Sequence, residues 1–569
     1  MRFSAVQNFL RRAAAFASQH RKALILGICL LNLTLGIFVP IYVDELVYKF
    51  GLARYLLEGG QQLSIYPQCI DTFLTPVPLP LIPGAVIIAG AWQHLGLFGM
   101  RFSGFAFIVA WAALIWLIIS RLTASRDVRV AVAFTLFAVM SLGVTSYALL
   151  LSRPDQFLVL GLTILVAFPI ILDARERETG RAASGWIIAT AALVYFLVIS
   201  TASYAHPNIV YYTPVVLASA YLTFRRVGLL PALGACAIAL VVIGFGLMNG
   251  ARVLASCNDP ALAAATGKRL VDLRGLLTAP LATIGVLLGN SLGGLFDLLR
   301  YVSFTGNYQS GWLPPTPLLD GVIGGTFLFV IRVIWHVAVV GAIVVATARL
   351  LHDRSPALLL AGALLISLAG QAAHNRSLNF TLIQLLLPLV ALFCVLALTP
   401  VAETALSARW WMPLRNVVAG FAAASALVCL IFLVPQLIGT AWSKRIFNDQ
   451  QHHSYSAFNA SIRAQSTARL AQACRIVPGQ APGLVIDDVS YATFYRERRP
   501  MFATYVNPSL MGAGLKGRLP EFFASHRSSG FIGKCNYLPW ELQSVAIRDG
   551  ENCCVSAEVI TTALPASAK

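Results

Sequence analysis

Charge is what this 569-residue chain has least of. Charged side chains fill 12% of positions, and the 24 acidic residues are outnumbered by 42 Lys and Arg. Soluble domains carry about 25% charged residues, so with 58% hydrophobic residues and a mean hydropathy of +0.74 lipid must be the main solvent. No CxxC pair and no His/Cys metal spacing occurs, so no metal set is legible. Internal repeats and low-complexity tracts are absent. No small-x-small site follows the first apolar run, 23–43, which therefore reads as a retained anchor. Nor is any basic patch interleaved with exposed aromatics, so the net charge of +18 does not indicate nucleic acid.

What is present is a series of apolar segments long enough to cross a bilayer, which takes about 20 residues each. They are expected at 23–43, 102–120, 130–150, 157–172, 186–204, 208–224, 228–248, 322–348, 356–373, 380–399 and 416–440, about eleven helices. The basic residues lie between them. Arg2, Arg11, Arg12, Arg21 and Lys22 precede the first, and Arg121, Arg126 and Arg129 follow the second. Arg175, Arg177 and Arg181, then Arg225 and Arg226, Arg349 and Arg354, and Arg409 and Arg415 continue the series. Every second loop is basic, so these loops and the N-terminus are expected on the cytoplasmic side. An odd number of spans then puts the remainder, 441–569, outside. Its ordinary charge density and short apolar runs, with strands expected at Leu484–Ile486 and Phe502–Val506 and a helix at Leu519–Ser525, read as a soluble α/β domain. The fold class is thus a polytopic α-helical membrane domain, 1–440, with a C-terminal α/β domain at 441–569.

Two long connections fall outside, 44–101 and 249–321. In the first, Leu46, Phe50, Ala53 and Leu57 recur at helical spacing beside Glu45, Lys49 and Arg54, describing a helix on the membrane surface. Proline punctuates 76–83, so 84–98 is expected as a juxtamembrane or re-entrant helix. Cys69, Cys257, Cys474, Cys535, Cys553 and Cys554 also fall outside, an even number in an oxidising compartment, and Cys69 with Cys257 plus two bridges within the C-terminal domain is the preferred pairing.

Ionisable groups at the ends of spans are functional suspects, because dehydrating them is costly. Asp44 and Glu45 end the first span, and Ser152-Arg153-Pro154-Asp155-Gln156 lies between the third and fourth. Tyr204-Ala205-His206-Pro207-Asn208 lies between the fifth and sixth, and His374-Asn375-Arg376 between the ninth and tenth. All four sets are expected on the outer face. The plainer alternatives are a helix cap for Asp44-Glu45, a capped salt-bridged turn for Arg153-Asp155, a hydrogen-bonded loop histidine for His206 and a snorkelling Arg376. Arg332 and His336, four apart on one span, fit either a polar cavity or interhelical packing.

Asp44-Glu45 at the end of the first span, a surface helix closing on Glu58-Gly59-Gly60, a proline-rich stretch, Gly99-Met100-Arg101-Phe102-Ser103 and then Arg153-Pro154-Asp155 resemble, in that order, the C-type glycosyltransferase superfamily. The likeness is to the branch of lipid A aminoarabinose transferases and protein O-mannosyltransferases, and it covers roughly the first 225 residues. One departure stands out: relatives often carry Lys-Pro-Pro in the first outer loop, where this chain reads Thr75-Pro76-Val77-Pro78-Leu79-Pro80.

The resemblance implies a multi-pass protein of a bacterial inner membrane, with a polyprenyl-phosphate sugar donor, a lipid or glycan acceptor and the active site on the periplasmic face. It makes Asp44 the general base. General chemistry supports the division of labour: transfer needs a carboxylate to take the acceptor proton and cations to hold the leaving phosphate. Asp44, Glu45 and Asp155 are the catalytic candidates. Arg153, Arg376, Lys49, Arg54 and Arg101 are the phosphate-binding ones, and His206, His374 and Tyr204 are candidates for substrate contact. Arginine suffices for the phosphate, so no metal is expected to be required, although some relatives use a divalent ion. A monomer surrounded by membrane lipid is expected. The competing classes are a lipid or sugar transporter or flippase, disfavoured because most spans lack mid-span acids, and a non-catalytic envelope-assembly protein.

Overall fold

The computed structural model describes residues 19–40, 45, 63–64, 77–93, 97–142, 144–255, 270–296, 298, 313, 322–375, 383–405, 411–442, 447–448, 453–454, 460–476, 484–486, 501–503, 528–535, 538, 540–550 and 552–563. Eight of its helices are long and apolar enough to cross a membrane, and three shorter apolar helices accompany them. The long ones are α1 (Arg21–Leu35, prolonged by a 3-10 turn to Phe38), α3 (Leu97–Leu122), α6 (Asp155–Thr179), α7 (Gly185–Ala205), α9 (Leu229–Ala255), α11 (Val322–Leu350), α12 (Pro356–His374) and α14 (Trp411–Val428, continued through a π turn to Trp442). The shorter apolar ones are α2 (Ile82–Gln93), α10 (Pro280–Phe296) and α13 (Ile383–Ala405, apolar over Gln384–Pro400). The chain is a multi-pass membrane protein. α6 lies at the centre, against α3, α7, α13 and α8 (Thr213–Phe224). Leu158, Leu162 and Leu165 recur on its buried face at helical spacing.

Two expected spans are not continuous helices. The third, 130–150, divides into α4 (Arg126–Met140) and α5 (Thr145–Leu150). The Ser141 hydroxyl bonds back to the Phe137 carbonyl at 2.8 Å, and the Ser141 N–H is shared between the Phe137 and Ala138 carbonyls, a competition that ends helices. Broken backbone at membrane depth survives only inside protein, and every residue of α5 is buried. Gln384 on α13 caps the loose end, its Nε2 donating to the Leu151 carbonyl at 3.1 Å and to that of Ala148. The sixth, 208–224, is a 3-10 turn, Pro207–Tyr212, followed by the 12-residue α8, because Pro207 and Pro214 each remove an amide donor. The charged run 173–181 extends α6 to Thr179, with Arg177 reaching Asp173 at 3.1 Å one turn back.

Of the outer connections, α2 falls where the juxtamembrane or re-entrant helix was expected, and α10 arises within the second. At about 1.5 Å per residue neither the 12 residues of α2 nor the 17 of α10 cross a hydrocarbon core of about 30 Å. α2 approaches α7 so closely that a Cβ at Gly84 would lie 2.4 Å from the Ser200 backbone. At Gly104 of α3 a Cβ would lie 2.0 Å from the Leu150 carbonyl oxygen, and the obstacle there is backbone that has nowhere to go. Gly104→Ala is therefore expected to cost about 1–3 kcal/mol, read as a lower melting temperature in detergent.

The C-terminal domain holds a six-stranded sheet in the order β1 (Leu63–Ser64), β5 (Met501–Ala503), β4 (Leu484–Ile486), β6 (Gly530–Lys534), β8 (Asn552–Ser556), β7 (Ile547–Asp549). A separate hairpin pairs β2 (Phe447–Asn448) with β3 (His453–Ser454). The first four strands run parallel and the last two antiparallel. Side chains alternate between the faces of a strand: Leu484, Ile486, Ile532 and Cys554 join the cluster of α15 (Ala460–Ala473), while Val485, Phe531, Cys553 and Val555 join that of α16 (Ala557–Ala563). The adjacent Cys553 and Cys554 consequently bridge to opposite sides, Cys554 to Cys474 and Cys553 to Cys535. These are the two bridges expected within this domain. Cys69, Cys257 and the helix expected at 519–525 lie outside the described residues, and the strand expected at 502–506 is found at Met501–Ala503.

β1 comes from the first outer connection. Its pairing of Leu63 with Met501 and Ser64 with Phe502 puts that connection and the C-terminal domain on one side of the membrane. A bridge between Leu270 and Asn375 brings the second connection to the same side. The basic turns gather at the other end of the helices, where Arg121 meets Glu178 at 3.0 Å, Arg226 meets Glu176 and Arg349 meets Asp353 at 2.8 Å. The turns that carry Arg121, Arg177, Arg226 and Arg349 thus share one end of the bundle.

Candidate functional site

The polar groups at the outer end are delivered by chain breaks. The break between α5 and α6 carries Ser152, Arg153 and Asp155, that between α7 and α8 carries His206, and α12 ends at His374.

Glu45 is fully buried. One of its oxygens, Oε1, accepts from Arg101 Nη1 at 2.9 Å and from the Ser152 N–H at 2.8 Å. Arg101, also 0% exposed, donates from Nη2 to the Pro40 carbonyl. The Ser103 and Ser152 hydroxyls share a hydrogen bond. Together these contacts tie the end of the first span and the start of α3 to the loop that presents Arg153. They hold that loop in place.

Asp155 opens α6, where the helix dipole favours a carboxylate. Pro154 at the N-cap, with φ of −59°, starts the helix without needing an amide partner. Asp155 accepts from Arg153 Nε at 3.1 Å through Oδ2, and its Oδ1 lies 3.6 Å from His206 Nε2. His206 Nδ1 accepts from the Asn208 N–H at 3.1 Å, so the neutral ring carries its proton on Nε2, facing Asp155. Burial holds this imidazole below its ordinary pKa; the Asp155 carboxylate pulls it up and Arg153 pushes it down again. A histidine whose protonation is disfavoured by folding contributes full stability above its unfolded pKa of about 6.5, and that stability falls as pH drops below it. Melting temperatures between pH 7.5 and 5.5 are expected to decline for the wild type, and less steeply for His206→Gln.

The same hairpin reaches α12. The Tyr212 hydroxyl donates to Gln371 Oε1, and the Tyr211 ring lies 5.8 Å from that of His374. The His374 carbonyl accepts from the Val271 N–H at 2.9 Å, and the Ala373 carbonyl from Asn290 Nδ2 at 3.2 Å. The structure thus brings Glu45 and Arg101 together, and Arg153, Asp155 and His206 together, with His374 tied to the latter through Tyr211, Tyr212 and Gln371. Tyr204 packs beside Ile88 and Phe157. Asp44, Lys49, Arg54 and Arg376 lie outside the described residues. Among the described residues no three His, Cys, Asp or Glu side chains gather as a metal-binding set.

Tyr212, Gln371 and Gln384 do not stand out in the sequence. They are neutral polar residues, and the signal that reveals them is a hydrogen-bonding side chain inside an apolar run: Gln371 and Gln384 are both buried and both bonded between elements. His336 serves interhelical packing: it stacks on Phe296 of α10 at 5.3 Å, and the neighbouring Trp335 donates to the Leu295 carbonyl at 3.2 Å.

No family model matches the chain, and no curated protein matches it. Solved structures do. The oligosaccharyltransferase AglB of Archaeoglobus fulgidus, in complex with an inhibitory peptide and a dolichol-phosphate, is 11% identical with a TM-score of 0.43, over 91% of this chain and 70% of that one. The same archaeon's oligosaccharyltransferase in complex with zinc and sulfate is 13% identical with a TM-score of 0.45, over 90% and 68%. ArnT of Cupriavidus metallidurans, bound to undecaprenyl phosphate, is 12% identical with a TM-score of 0.45, over 94% and 97%. Likenesses this partial fix neither substrate nor mechanism.

Proposed function

We propose that this chain is an integral-membrane glycosyltransferase that moves a sugar from a polyprenyl-phosphate carrier to a lipid or glycan acceptor of the cell envelope, working at the periplasmic face of a bacterial inner membrane. One observation carries the reading: a carboxylate and a guanidinium from one chain break, Asp155 and Arg153, meet an imidazole from another, His206, at the end of the bundle that bears the outer connections. Buried ionisable groups held together at a span end mark chemistry more often than packing.

Within this proposal the roles divide by exposure. Glu45 and Arg101, sealed from solvent and bonded to each other, position the loop that follows α5 and touch no substrate. Asp44, next in sequence to Glu45, is the general base for the acceptor hydroxyl. Arg153 holds the leaving phosphate through its Nη groups while Asp155 fixes its Nε, and Arg376, Lys49 and Arg54 are further candidates for that charge. His206 keeps Asp155 in place, and His374 lines the acceptor side. The guanidinium groups supply the charge that neutralises the phosphate, so turnover is expected to persist in EDTA.

The test is direct. Protein purified in mild detergent is extracted and its lipids are weighed by mass spectrometry, and transfer from a synthetic polyprenyl-phosphate sugar is followed by label. A co-purifying polyprenyl phosphate and transfer to envelope glycan are expected. Arg153→Ala is expected to lower kcat/KM for the donor by about 10²-fold, the loss of one charge-assisted bidentate contact. Absence of both the lipid and the transfer would end the proposal.

A further inference from the structure

The cysteines of the C-terminal domain are joined in a nested order. Cys474 pairs with Cys554 across 80 residues, and Cys535 pairs with Cys553 inside that loop, across 18. Cys29, Cys236, Cys394 and Cys429 lie in membrane helices and carry no bridge. The nesting conflicts with the direction in which the chain is delivered. A polypeptide is presented N-terminus first, and a disulfide forms through a mixed disulfide with the oxidant, which the next thiol to arrive resolves. Of the four cysteines Cys474 arrives first, and the next is Cys535.

A bridge between those two cannot survive folding. Cys474 belongs with Cys554 to the cluster of α15, whereas Cys535 belongs with Cys553 to that of α16, so the sheet lies between them. A disulfide holds two Cα atoms about 4.4–6.8 Å apart and cannot pass through a hydrogen-bonded sheet. Nor can the two cysteines left over take each other. Neighbouring Cα atoms are about 3.8 Å apart, below that range, and adjacent side chains of β8 point to opposite faces. Cys553 and Cys554 therefore stay thiols in a chain that carries the early bridge.

We propose that this adjacent pair is a built-in resolving dithiol, which breaks the early Cys474–Cys535 bridge and hands each half to its own face of the sheet. The Cys553 thiolate attacks Sγ of Cys535. The bond from Cys535 to Cys474 breaks, the bond from Cys535 to Cys553 forms, and Cys474 leaves as a thiolate that takes up the proton Cys553 gave up. No electron is gained or lost. Cys474 and Cys554 are then the remaining thiols, and a dithiol oxidase of the same compartment joins them, removing two electrons and two protons as it did for the first bridge. Closing the 18-residue loop is favoured about tenfold over attack by Cys554 on Cys474 across 80. Attack within the chain needs no second protein: thiols on a short flexible segment meet at about mM effective concentration, of which about 3% is thiolate at pH 7 for an ordinary cysteine. The inference rests on the reading that this domain faces an oxidising compartment and not on the chemistry at Asp155.

Cells making the full chain are pulse-labelled, quenched in acid at intervals and alkylated with N-ethylmaleimide, in hosts with and without their thiol–disulfide isomerase. The bridges are then read by non-reducing peptide mapping. Cys474–Cys535 is expected in the earliest samples, Cys535–Cys553 next and Cys474–Cys554 last, with equal half-times in the two hosts. The double variant Cys553→Ser, Cys554→Ser is expected to keep the early bridge throughout the chase. Native bridges with no Cys474–Cys535 before them overturn the proposal, as does a first bridge from Cys474 to Cys69 or Cys257. An early bridge that persists only where the isomerase is missing assigns the exchange to that enzyme and overturns it too. Four free thiols in the wild type overturn it together with the placement of the domain on which it rests.

Discussion

Asp44→Asn is expected to lower sugar transfer by about 10²–10⁴-fold, the usual contribution of a positioned general base, while leaving expression, membrane insertion and melting temperature unchanged. The substitution keeps the shape of the side chain and removes its basicity, so the loss belongs in kcat and not in donor KM. The neighbouring carboxylate offers no substitute: Glu45 is 0% exposed and already accepts from Arg101 and the Ser152 amide, out of reach of an acceptor hydroxyl. Turnover at the wild-type rate in Asp44→Asn would show that the proton goes elsewhere, and Asp155→Asn would be the next variant to measure.

Glu45→Gln makes the opposite kind of change. It leaves Arg101, sealed from solvent with its Nε already lacking a partner, without the carboxylate that balances it. Removing one member of a buried ion pair costs about 3–5 kcal/mol, which for a marginally stable chain means a large drop in melting temperature or loss of folded protein. The double variant Glu45→Leu, Arg101→Met is expected to recover most of that stability, since replacing both charges by apolar groups is often neutral or better. It should nonetheless transfer sugar poorly, because the Ser152 amide loses its acceptor and the Arg153 loop its tether. Full activity in the folded double variant would remove Glu45 and Arg101 from any positioning role.

Much of this was legible in the chain itself. The eight long helices all coincide with apolar runs, and the polar rims at the two ends follow the alternation of basic loops. Arg153-Pro154-Asp155 and His206-Pro207 announce themselves because proline and charge seldom share the end of an apolar segment. The mistakes have a common cause. Hydropathy treats 130–150 and 208–224 as continuous, but a helix ends where a hydroxyl or a proline competes for its hydrogen bonds, and Ser141, Pro207 and Pro214 do so here.

Composition settled that the chain crosses a membrane repeatedly and that its C-terminal region holds strands as well as helices. Those properties are sums over many residues, and solvent preference alone decides them. Which groups touch was decided by tertiary structure. Glu45 and Arg101 are 56 residues apart and Tyr212 and Gln371 are 159 apart, and β1 leaves the first outer connection to edge a sheet some 440 residues later. Such pairings depend on how rigid helices pack and where the chain is forced to break, and no local pattern in the sequence encodes that.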